Sequence, residues 1–287
     1  MASLTVSFSE HDNDLISPSV IVSTLLGSYP RTTIRFRRVE EFFALSAESD
    51  QTHEYTVAWL DCVSGGQKLG RGLFMRGNHS ARPLNGNSVK QAGAGLVRGF
   101  NAPEFLINRA TVRMFNALYF HAPMRDFKRQ TVSYQKFFYP LDGVTGWNKL
   151  YGQRGFLQYQ FVVPFEKREA IEEILGLIAL SRLVCTLSVL KIFGGVTSPG
   201  LLSFPRPGVT LALDFPIQGD ATFELCRRFD EVVLRCGGAV YPAKDARMPR
   251  ATFEASFPKL AEFAPIVDPH FSSDFWRRVS GAGSAHS

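Results

Sequence analysis

The segment Gly155-Phe156-Leu157-Gln158-Tyr159-Gln160-Phe161-Val162-Val163-Pro164 constrains the fold more than any other. It is bounded by a glycine and a proline and is apolar except for two amides, the pattern of a buried strand. Side chains alternate along a strand, so Leu157, Tyr159, Phe161 and Val163 share one face, a continuous core face. Phe156, Gln158, Gln160 and Val162 share the other, an apolar platform carrying two neutral hydrogen-bonding groups. A buried amide without a partner costs roughly 1–3 kcal/mol, so Gln158 and Gln160 are expected to meet either protein or ligand.

The elements that follow give this strand a place. Residues 166–180 have apolar positions at 170/171, 174/175 and 178, the spacing of an amphipathic helix. Residues 184–193 read as a strand closed by Gly194-Gly195, and residues 209–215 as another, reached through a Pro-rich connection at 203–208. Asp220 is placed to cap a helix running to Cys236, and residues 239–241 form a last short strand. Strand–helix–strand–strand–helix–strand is the ferredoxin-like order, whose first strand is central and whose helices cover one face. Gln158 and Gln160 then project from the open face. Thr210, Ala212 and Asp214 alternate on the neighbouring third strand and can share it. Lys191 is ambiguous, because its neighbours are apolar on both sides.

Upstream, residues 32–39 read as a strand, 40–49 as a short helix, and 55–63 and 71–76 as strands. Residues 78–101 read as a long polar loop, 103–120 as helix and 130–139 as extended chain. The expected class is α+β: a large antiparallel sheet with helices on one face, including a ferredoxin-like β-α-β-β-α-β unit.

Composition excludes more than it identifies. A formal net charge of +6 over 287 residues is mildly basic. The densest cluster, Arg31, Arg35, Arg37 and Arg38, reads as a solvated edge, and no nucleic-acid motif occurs. Cys62, Cys185, Cys226 and Cys236 lack metal-ligand spacing and read as buried free thiols. Gly93-Ala94-Gly95 is followed by Arg98 where a dinucleotide fingerprint needs its third glycine. No apolar run reaches the roughly 20 residues of a membrane span, and Met1 to Asp14 does not read as a signal peptide, so the expected location is cytoplasmic.

The run FFYPLDGVTGWNKLYGQRGFLQYQFVVP, Phe137 to Pro164, closely resembles the C-terminal half of FAD-linked oxidases of the decaprenylphosphoryl-ribose oxidase type, within the vanillyl-alcohol oxidase superfamily. Supporting segments stand in the same order: YTVAWLDC at 55–62, KLGRG at 68–72, LKIFG at 190–194, LSFPRPG at 202–208, LDFPI at 213–217, GGAVYPAKDAR at 237–247 and FEASFPKL at 253–260. The resemblance covers residues 31–279 as a substrate-binding cap domain. Residues 1–30 match poorly and are read as a possible remnant of an FAD domain, and 280–287 as a disordered tail.

The resemblance implies a division of labour. An N-terminal domain binds FAD, and a domain of the present kind covers the flavin and forms the substrate pocket. It implies substrate-binding roles for Gln158, Gln160, Lys191 and Phe193, and positions Tyr241 and Lys244 near the cofactor. An ammonium beside the flavin would stabilise its anionic reduced form. Three pocket positions depart from relatives: Ala212 stands in place of a cysteine, Phe138 of a tyrosine and Thr210 of an asparagine. The pyrophosphate-binding loop and the flavin-facing histidine segment have no counterpart here. The expectation is therefore an oxidoreductase acting on the CH–OH group of a sugar-like or polyol substrate once an FAD-binding domain or partner chain completes it. The alternative is a non-catalytic remnant or binding module that keeps the fold and binds no flavin.

Overall fold

The computed structural model describes residues 27–83, 107–138, 149, 151–244, 247–268 and 270–281. The chain divides into two compact units, Met1–Gly155 and Phe156–Ser287. The boundary falls just before the amide-bearing strand, inside the single 31–279 domain expected from the sequence. The segment before residue 27, Asp142 with Trp147-Asn148, most of the 78–101 loop and the tail from 282 lie outside the described residues.

The first unit is built on β1 (Gly27–Phe36), α1 (Val39–Ser49), β2 (Tyr55–Leu60), β3 (Gly72–Gly77) and β4 (Ser80–Pro83). It continues with α2 (Arg109–His121), β5 (Phe127–Ser133) and α3 (Tyr134–Phe138). β1 pairs antiparallel with β3, β4 and β5, and β2 pairs antiparallel with β3. Two differences from the sequence reading stand out. Ser80–Pro83 is a strand rather than loop, because pairing with β1 satisfies its backbone whatever its side chains prefer. Residues 134–138 turn helical where extended chain was expected. Neighbouring side chains on a strand point to opposite faces, yet Phe137 and Phe138 both enter the aromatic cluster of Tyr29 and Tyr55. A helical turn lets both do so.

A fully buried carboxylate organises this unit. Asp61 accepts from Arg71 Nε and Nη2 at 3.1 and 3.0 Å, from Asn116 Nδ2 at 2.8 Å, and from the backbone N–H groups of Val63 and Ser64. Those bonds hold α2, whose start is fixed by an Asn108–Thr111 capping box, against the sheet.

The second unit has the ferredoxin-like order read from the sequence: β6 (Phe156–Val163), α4 (Ala170–Ser181), β7 (Leu187–Phe193), β8 (Gly208–Pro216), α5 (Asp220–Arg235) and β9 (Ala239–Val240). Its strands stand in the order β7-β8-β6-β9, every pair antiparallel, so β6 is central as expected. The core face of β6 meets that of β8 residue for residue, Leu157 with Phe215, Tyr159 with Leu213, Phe161 with Leu211 and Val163 with Val209. All eight are buried. Tyr159 and Phe215 pack on Phe229 of α5 at centroid distances of 5.3 and 6.1 Å, which puts that helix on this face. Each such side chain contributes about 1.5–3 kcal/mol on burial. The N-cap of α5 is Gly219, not Asp220, which lies in the first turn. There its carboxylate complements the helix dipole instead of capping. Three helices follow, α6 (Arg250–Ser256), α7 (Leu260–Phe263) and α8 (Asp274–Ser280). Gly281, with φ 73°, ends α8 inside the segment read as tail. No helix of the described residues is long and apolar enough to cross a membrane.

Candidate functional site

The register resolves which side chains share the open face of the second unit's sheet. Gln158 lies opposite Asp214, Gln160 opposite Ala212 and Val162 opposite Thr210. Lys191 lies opposite Thr210 on β7, so it shares this face, and Phe193, two residues on, shares it too. Six of the candidate site positions read from the sequence, Gln158, Gln160, Lys191, Phe193, Thr210 and Ala212, thus lie on one surface. Thr210, Gln160 and Phe193 are buried, whereas Gln158, Lys191 and Ala212 keep partial exposure.

The fourth strand supplies the remaining two residues by stopping early. β9 pairs for only two residues, at Phe161 and Val162. Tyr241 then donates its backbone N–H to the Gln160 carbonyl at 2.8 Å, and a 3-10 turn, Pro242–Lys244, follows. The proline's fixed φ suits that turn. Gln158, Gln160, Tyr241 and Lys244 line one recess together with Asp230 and Arg247. Tyr241 stacks on Phe204 at 4.5 Å, and Phe204 meets Phe193 edge-on at 5.9 Å. Phe138, the ninth residue, belongs to the first unit, buried against Tyr29, Tyr55 and Phe137.

Each glutamine donates to the protein. Gln158 Nε2 bonds Asp214 Oδ1 at 2.7 Å, and Gln160 Nε2 bonds Thr210 Oγ1 at 3.2 Å. The two amide oxygens have no protein partner among the described residues, so each keeps an acceptor for a ligand. Three charges sit with them. Burial pushes the Asp214 carboxyl up to about 6, against the opposing pull of the Gln158 bond and the Lys244 ammonium. Burial lowers Lys191 to about 8, and Lys244 adds to that. Lys244 is itself lowered by burial while Asp214 raises it. Around neutral pH one carboxylate and two strained ammonium groups therefore face a surface with spare acceptors. Such perturbed, mutually coupled groups are characteristic of ligand sites.

Sequence reasoning placed Asp214 on this face but gave it no role, and it missed Phe204, Asp230 and Arg247. Asp230, on the buried stripe of α5, accepts from Tyr159 Oη at 2.8 Å, Arg247 Nη1 at 2.8 Å and Thr252 Oγ1 at 3.5 Å. Burial, and then the Asp230 carboxylate, hold the Tyr159 phenol well above its ordinary value, so it stays a donor. This network ties the chain just after Lys244 to the helix layer. A carboxylate between Phe229 and Val232 on an apolar stripe was the signal available in the sequence.

No protein-family model matches the chain. It is 32% identical over 303 aligned residues to decaprenylphosphoryl-beta-D-ribose oxidase of Mycolicibacterium smegmatis, an alignment covering 93% of this chain and 64% of that protein. It is 27% identical over 279 residues to an uncharacterized protein in the mprA 5' region of Streptomyces coelicolor, covering 91% of this chain and 74% of that one. Among solved structures, xylooligosaccharide oxidase from Myceliophthora thermophila C1, in complex with xylobiose, shares the fold with a TM-score of 0.50 at 13% identity. That match covers 86% of this chain and 54% of that one.

Proposed function

Because this chain is a relative of the FAD-linked oxidases of the decaprenylphosphoryl-ribose oxidase type, we propose that it forms the substrate-binding wall of an FAD-dependent oxidoreductase acting on a sugar-like or polyol hydroxyl. The observation that carries this is the open sheet face, where two amide oxygens, Asp214, Lys191 and Lys244 converge beside the Tyr241–Phe204 stack. That donor and acceptor set fits a polar heteroaromatic ring and a polyhydroxy ligand, both of which need many directed hydrogen bonds. The chain spans 64% of the oxidase it matches, so in this proposal an FAD-binding domain, in the same polypeptide or in a partner, completes the unit.

When bound, FAD supplies the acceptor for a hydride from the substrate's carbinol carbon. The residues of this chain orient and polarise. Gln158 and Gln160 accept from substrate hydroxyls. Lys191, with a pKa of about 8, donates to a hydroxyl or phosphate oxygen. Tyr241 and Lys244 would hold the cofactor, Lys244 as the cation that would compensate developing negative charge. Thr210 holds the Gln160 amide in place, and Ala212 and Phe193 provide apolar surface.

Adding FAD to the purified chain, with and without a polypeptide carrying an FAD-binding domain, tests the reading through flavin fluorescence and the flavin absorption band. Quenching and a shifted band are expected in the completed unit, with Lys244→Met slowing flavin reduction by a polyol while circular dichroism stays unchanged. Flavin that stays free in both mixtures would leave a binding module without redox chemistry.

A further inference from the structure

Helix α2 is amphipathic with its sides reversed. Its buried residues are Asn116 and Phe120, and Asn116 is held inward by Asp61 at 2.8 Å. Met114, Phe115 and Leu118, on the opposite arc, are 63%, 58% and 66% exposed, and Met124 in the turn that follows is 99% exposed. Phe115 and Tyr119 stack in parallel at 6.0 Å along that outer arc. Surface patches of large apolar side chains at helical spacing on a folded domain mark interaction sites.

Charge says what covers this one. Arg113, Arg125 and Lys128 are exposed around the helix and its exit. Lys128 pairs with Thr33 on β1, so it shares the sheet face of Arg35, and Arg35 Nε bonds the Phe120 carbonyl of α2 at 3.1 Å. It therefore stands on the helix's side of the sheet. The one acid between residues 109 and 129, Asp126, is paired with Arg35 Nη1 at 3.0 Å. The patch is thus apolar at its centre and cationic at its rim. A second copy in a two-fold contact would set this cationic rim against itself, in a chain whose net charge is already +6. An anionic lipid headgroup layer satisfies both parts at once, taking Met, Phe and Leu at the acyl boundary and Lys and Arg at the phosphates.

We propose that the outer face of α2 with the turn at Met124 docks the protein onto an anionic lipid surface. This does not depend on the oxidoreductase reading, and a chain that binds no flavin can still dock.

Cosedimentation of the full chain with vesicles of phosphatidylcholine alone, and with phosphatidylglycerol added at equal weight, tests the proposal. Binding to the anionic vesicles, weakened by salt, is expected. The double variant Met114→Glu/Leu118→Glu should weaken it by roughly tenfold or more, and Arg113→Glu/Lys128→Glu comparably. All four positions are on the surface, so unchanged circular dichroism is expected. Failure to pellet with anionic vesicles, equal pelleting with neutral ones, or full binding by either variant would overturn the proposal. So would a dimer in sedimentation velocity that Met114→Glu/Leu118→Glu disperses, because a second copy would then own the face.

Discussion

Asp214→Asn is expected to make the second unit more stable at pH 8 while damaging the proposed site. Asp214 is 2% exposed, and its pKa rises from 3.8 to about 6 on folding. The folded state therefore binds a proton more tightly than the unfolded chain does. Stability from this group is fully present below the unfolded pKa near 3.8 and is lost as pH rises through about 6. A shift of about two units corresponds to about 3 kcal/mol, of which about 2–3 kcal/mol is lost between pH 4 and 8. Asparagine cannot ionise, so it escapes the loss, and Gln158 can turn its amide to accept from the new Nδ2 donor. Equilibrium urea denaturation of both proteins from pH 4 to 8 measures the effect. The stability difference, variant minus wild type, should grow by about 2–3 kcal/mol across that range. Parallel curves would show that Asp214 ionises as freely in the fold as outside it, and would remove the strained carboxylate from the argument for a site. A group kept charged against its own stability is what a functional position looks like, because a relaxed surface carries no such penalty.

Lys191→Met probes the opposite charge. Its folded pKa of about 8 lies below the unfolded 10.5, so wild-type stability relative to the variant should rise between those pH values, by at most about 3 kcal/mol in urea melts. Asp230→Ala should cost about 3–5 kcal/mol by thermal or urea unfolding, because it leaves Arg247 and the Tyr159 hydroxyl without their shared acceptor. Adding Arg247→Met should recover part of that loss, and strict additivity would argue against a coupled network. Gly208→Ala should destabilise by about 1–3 kcal/mol or more, since a Cβ there would stand 2.2 Å from the Val163 carbonyl oxygen at φ 153°. Unchanged unfolding would mean that β8 can slide past β6.

The open face was legible because alternation on a strand is geometric. Once Gln158 and Gln160 are set against Leu157, Tyr159 and Phe161, their side follows, and Thr210 and Asp214 join them through the same period. Lys191 was not legible, because β7 is apolar on both sides and its parity depends on pairing with Thr210, which only the folded sheet supplies. Tyr241 and Lys244 were placed at a strand end. That the strand stops after two residues and turns at Pro242 depends on Tyr241 bonding Gln160, a contact 81 positions away in sequence.

Buried charge explains what patterning could not. Asp230 interrupts an apolar stripe, and its partners Tyr159, Arg247 and Thr252 lie 71, 17 and 22 positions away, so none is visible in a local window. Helix α2 shows the same effect more sharply. Its periodicity alone favours burying Met114 and Leu118 and exposing Asn116. The fold does the reverse, because Asp61, fully buried, needs donors that an apolar face cannot offer, and Asn116 comes from 55 positions away to supply one. An ionised carboxylate without donors would cost more than leaving a few methyl groups in water. The apolar arc is thus left outside as a consequence of satisfying a charge inside, and that is why it is available to meet a lipid surface.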